Sequence, residues 1–146
     1  MNKAEIQQIR IDIECGGETA LSMVLYRDGT LGRSGNGSLP RDGITCLGMS
    51  DGSAFSTLID SLNEGVFPHV GTHEIKDKKG TPVRYAIGFL GTGDRLLAGF
   101  EFRMGLDNRD AGNLVAYFDG FIQHAVALTN DWHKETLLKQ QNAKEA

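Results

Sequence analysis

The chain has 146 residues, 40% apolar and 23% charged, with a formal net charge of -4. That length suits one domain with a sizeable core and excludes extended disorder away from the ends. The mildly acidic balance excludes non-specific nucleic-acid binding, which depends on phosphate neutralisation by Lys and Arg, and permits a basic protein partner.

The 19 glycines point to many tight turns and favour a sheet-rich fold. No run approaches the roughly 20 apolar residues of a membrane span. The opening Met1-Asn2-Lys3-Ala4-Glu5 lacks the apolar stretch of a signal peptide. A cytoplasmic location is therefore expected, with Cys15 and Cys46 reduced.

In chain order, Gln8 to Cys15 alternates strictly. Ile9, Ile11, Ile13 and Cys15 share one face, and Arg10, Asp12 and Glu14 the other, which predicts a strand with one wet face. Gly16-Gly17 turns the chain into a second strand, Leu21 to Tyr26. Asp28-Gly29 predicts a hairpin, and Thr30 starts the returning strand. Gly32 to Asp42 reads as a loop. Ile44 to Met49 reads as a short strand or a continuation of the third. Ser50-Asp51-Gly52-Ser53 supplies helix caps, and Phe55, Leu58, Ile59 and Leu62 form an amphipathic face ending near Gly65.

Thr72 to Lys78 is strand-like, and Lys79-Gly80 is a turn. Val83 to Phe89 alternates, and so does Leu96 to Met104, with Leu96, Ala98, Phe100, Phe102 and Met104 assigned to the core side. Asp107, Asn108 and Asp110 open a long helix. Its stripe is Leu114, Phe118, Phe121, Ile122, Ala125, Leu128 and Trp132, with Tyr117 at the edge and His133 off it. The polar tail after Lys139 is expected to fray. The expected fold is α+β in residues 1–146: an antiparallel sheet of about six strands with two helices on one face, in the order βββα-βββα.

Candidate chemistry is sparse. The loop Gly32-Arg33-Ser34-Gly35-Asn36-Gly37-Ser38 could cradle a phosphate only if a helix followed. Leu39-Pro40-Arg41-Asp42 follows instead, so the loop reads as a connection able to touch a partner. His69 and His73 would share a metal on a helix, but in a strand four residues span about 13 Å, too far for ligand bonds near 2 Å. Asp12, Glu14 and Glu101 share a face with Arg10, Arg84, Arg95 and Arg103, a pattern of cross-strand ion pairs rather than acid–base catalysis. Neither cysteine has a histidine near it in sequence, and there is no G-x-S-x-G elbow. No catalytic, cofactor or metal residue is assigned.

The stretch Ser22-Met23-Val24-Leu25-Tyr26-Arg27-Asp28-Gly29-Thr30-Leu31-Gly32-Arg33, followed by a glycine loop and a helix, resembles the small α+β immunity proteins that bacteria make against polymorphic toxins. The resemblance is one of general character over most of the chain. It implies tight binding to a cognate toxin and no catalysis. Loop and sheet-face positions are then the contact candidates: Asp12, Glu14, Asp28, Arg33, Asn36, Arg84, Glu101 and Arg103. Two other classes stay open. An enzyme would have to gather distant residues such as Asp28, Arg33 and His73. A self-associating structural or ligand-carrier unit would pair through exposed sheet edges.

Overall fold

The computed structural model describes residues 2–39, 44–108 and 112–145. Within them the chain is α+β. Its strands are β1 (Gln8–Cys15), β2 (Glu18–Tyr26), β3 (Thr30–Gly35), β4 (Thr45–Met49), β5 (Gly71–Glu74), β6 (Pro82–Leu90) and β7 (Leu96–Gly105). Its α-helices are α1 (Ser53–Ser61) and α2 (Asn113–Glu145), and short 3-10 turns link some elements. Asp110 and the loop residues Pro40, Arg41 and Asp42 lie outside the described residues. No described helix is long and apolar enough to cross a membrane.

The strands form one sheet in the order β4-β3-β2-β1-β6-β7-β5. This differs from the expected six-strand antiparallel plan in strand count, in the reach of β3 and in the direction of one edge strand. Residues Thr45–Met49 make a separate strand, and β3 keeps Gly32 to Gly35, which the glycine content had assigned to a loop. The sheet is also mixed, because β5 runs parallel to β7 at the far edge. The two halves are therefore not copies: the first is a meander, and the second places β5 beyond β7.

That placement needs one glycine. The segment after β5 must cross the end of β7 to reach β6, and it passes over Gly105. A Cβ there would sit 2.0 Å from the Lys79 carbonyl oxygen. Leu106 N–H donates to Thr81 O at 2.8 Å and Asp107 N–H to Lys79 O at 3.0 Å, holding the crossing in place.

Alternation then sorts the side chains. Ile9, Ile11, Leu21, Met23, Leu25, Tyr85, Ile87, Phe89, Phe100, Phe102 and Met104 are buried in one core with Phe55 and Leu58 of α1 and Phe118, Phe121, Ile122 and Ala125 of α2. Helix α2, roughly 50 Å long at 1.5 Å per residue, runs beneath the whole sheet. Phe118 packs on Phe100 and Phe102 of β7, with ring centroids 4.6 and 5.5 Å away. Further along, Arg33 of β3 donates to Val126 O, Thr129 Oγ1 and Asn130 Oδ1. Past Lys139, where fraying was expected, the helix continues, and Gln140 reaches Thr45 O at 3.4 Å.

Several local expectations are corrected. Leu96 leaves the core face because a bulge between Phe89 and Leu90 makes Leu97 an extra residue and shifts the phase. Leu96 is 62% exposed. His133 is buried, not exposed. Trp132 is half-buried, with its indole N–H donating to Met49 O. Gly65 does not end α1. The helix stops at Ser61, and Asn63 Oδ1 accepts from Gly65 N–H within a 3-10 turn.

Helix α2 also guards the β4 edge. Ser50 N–H donates to Gly29 O, so by alternation the backbone groups of Thr45, Leu47 and Met49 point away from β3. Two of those outward carbonyls, Thr45 and Met49, are taken by Gln140 and Trp132.

Candidate functional site: the open face of the sheet

The helices pack on one side of the sheet, and the off-core positions of the strands form the other. Strand registers place these positions in rows. One row runs Leu47, Gly32, Val24, Arg10, Gly88, Gly99 from β4 to β7. The next runs Thr45, Ser34, Ser22, Asp12, Ala86, Glu101, Thr72. Small residues occupy most of these positions, so Arg10 and Asp12 on central β1 stand as a ridge between two hollows.

Each hollow has a volume of 480 Å³. The first has Ala86, Gly88 and Gly99 as floor, with Leu90 and Leu96 along one side and Arg84 and Glu101 along the other. The second has Ser22, Gly32 and Ser34 as floor, with Val24, Tyr26 and Leu47 around it. Leu47 and Leu96 are 67% and 62% exposed at the two flanks.

Five of the eight predicted contact residues meet on this face. Arg84 donates to Glu101 and lies 3.5 Å from Glu14, while Arg103 reaches Glu101 at 3.3 Å. Thr72 donates a further hydrogen bond to Glu101 at 3.1 Å. The hydrogen bond from Arg84 is the main cause holding the Glu101 carboxyl below the usual glutamate range, against the opposing effect of burial. Its reciprocal holds Arg84 charged, with the Glu14 and Asp12 charges adding to it. Asp12 completes the five, and Arg10 beside it donates to Gln8 Oε1.

The other three lie elsewhere. Arg33 is 2% exposed, and its guanidinium points to the core side against α2. Position 33 shares the inward phase of Leu31, so the residue cannot serve as a surface contact. Asp28 and Asn36 close turns by accepting from Thr30 N–H and Ser38 N–H. His73 stacks on Phe102 at 5.2 Å, and its ring nitrogen meets His69 O. Among the described residues no group of three or more His, Cys, Asp or Glu is arranged to hold a metal ion.

A third concavity, of 570 Å³, lies between the start of α1 and α2 and is lined by Asp51, Asp131, Trp132, Glu135 and Lys139. Asp51 is committed there to capping α1, accepting from Ser53 N–H and Oγ–H. These two bonds hold its carboxyl below the ordinary aspartate range.

Sequence reasoning missed the small residues of the open face. Their signal was present in β6, where the off-core positions shrink from Arg84 to Ala86 to Gly88. What it lacked was the register that sets Gly88 between Arg10 and Gly99. No family model, curated protein or solved structure matches this chain.

Proposed function

We propose that this chain is a non-catalytic protein-binding module whose open sheet face docks one protein partner. The observation that carries it is the pair of hollows flanking the Arg10–Asp12 ridge, with exposed leucines at both margins. Apolar margins, small-residue floors and a central polar ridge provide complementarity to protruding side chains. The charges on this face are largely neutralised among themselves, which leaves shape as the main selector. In its specific form the partner is a toxin domain, neutralised by occlusion of its active site; the support for that is the general resemblance to immunity proteins.

The test uses one bulky charge per hollow. Ser22→Arg and Ala86→Arg should preserve folding and weaken binding to a co-purifying partner by about 100-fold in calorimetry. Gln123→Arg, on the exposed side of α2, should bind like the parent. Unchanged binding in both face variants overturns the proposal. The toxin form further requires that the partner be toxic when expressed alone and harmless when co-expressed with this chain.

A further inference from the structure

The hollow over Gly88 and Gly99 has a definite shape. The two glycines are direct cross-strand partners, so backbone floors the hollow there, with the Leu96 side chain leaning towards both positions. The nearest atoms to added Cβ atoms would be those of the Leu90 and Leu96 side chains, at 3.4 Å or more. Leu90 and Leu96 wall one side, Arg84 and Glu101 the other, and Arg10 closes the end towards β1. Asp12 also lines the hollow. Its carboxylate accepts no hydrogen bond from the described residues, whereas Glu101 is fully engaged by Arg84, Thr72 and Arg103.

Resting on the protein-binding function above, we propose that this hollow seats one aromatic side chain of the partner, a tryptophan or tyrosine. The ring lies flat on the Gly88–Gly99 backbone with its edge against Leu96. The Arg10 guanidinium sits alongside it, where a cation is attracted to the ring. The indole N–H or phenol O–H donates to Asp12. A floor of two backbones about 4.8 Å apart suits a planar group. A branched aliphatic side chain would cover the Asp12 carboxylate without supplying a donor, an unfavourable desolvation. Aromatic anchors of this amphipathic kind dominate protein interfaces.

The experiment is an amide NMR titration of the full chain with N-acetyl-tryptophanamide, with N-acetyl-leucinamide as comparison. The expected result is saturable ring-current shifts at the Gly88 and Gly99 amides. Binding should be about tenfold weaker for the leucine amide, and about tenfold weaker for the tryptophan amide in Asp12→Ala. Gly99→Val, which fills the seat, should keep the parent amide pattern elsewhere and abolish the shifts; Gly88→Val serves the same purpose if that variant does not fold. Shifts that do not saturate, that match those of the leucine amide, or that survive the filling variant overturn the aromatic seat. If the seat fails while Ser22→Arg and Ala86→Arg still lose the partner, the protein-binding face stands without it. If those two variants bind normally, the face itself falls.

Discussion

At the scale of single residues, Arg33 separates two ways of reading the same side chain. Its phase in β3 matches that of Leu31 and places it inside, where its guanidinium joins the sheet to α2. Arg33→Ala should destabilise the fold by about 3 kcal/mol in urea denaturation, because buried carbonyl and hydroxyl groups lose a charged donor. Partner binding measured below the unfolding transition should be unchanged. Arg33→Lys should recover only part of the loss, since an ammonium cannot spread over the same acceptors. Glu101 offers a pH test. Its folded carboxyl is held below the ordinary glutamate value, chiefly by Arg84. Its contribution to stability is therefore present above that ordinary value and is lost as pH falls through the depressed one. The parent chain should lose more stability than Glu101→Gln between about pH 5 and about pH 3, and equal losses would remove the Arg84–Glu101 pair from the stability account.

At the scale of elements, alternation made β1, β6 and most of β7 legible, and a three-to-four spacing did the same for both helices. What escaped were the features that depend on partners distant in sequence. Gly32 looks like loop composition, yet it lies in β3 between Val24 and Leu47. The bulge that turns Leu96 outward is invisible in a run that alternates on paper. The parallel placement of β5 depends on Gly105 tolerating the Lys79 backbone. The guarded β4 edge gives a prediction at this scale. Trp132→Phe with Gln140→Ala removes both side-chain donors from the outward carbonyls while keeping a ring at position 132. Such an edge, flanked by exposed Leu47 and Met49, should pair with a second copy. Light scattering should show a concentration-dependent rise in mass relative to the parent chain, reversed by adding Leu47→Lys. Phe118→Ala should lower stability by about 4 kcal/mol, since its ring meets Phe100, Phe102 and Phe121.

At the scale of the whole molecule, the sequence separated a core face from a charged face and directed attention to the latter, where five of the eight predicted contact residues lie. It did not reveal that the charged face is hollowed, because depth arises from small residues aligned across several strands. It did anticipate that Arg10, Arg84 and Arg103 lie among Asp12, Glu14 and Glu101, and the Arg84–Glu14, Arg84–Glu101 and Arg103–Glu101 pairs follow that pattern, so that the face carries little net field. Binding there should vary less than about threefold between low and physiological salt, in contrast with electrostatically steered pairs; a steep salt dependence in calorimetry would place the partner elsewhere. The long reach of α2 has a further consequence, for biosynthesis. Every strand is translated before this helix, and Phe89, Phe100 and Phe102 have their aromatic cover in Phe118 and Phe121. At about 5–20 residues per second, making the 33 residues of α2 takes roughly 2–7 s. For that interval the emerged strands present a greasy underside to the cell, so ribosome-bound chains halted with β7 outside the ribosome and α2 still inside it should recruit chaperones that released chains do not.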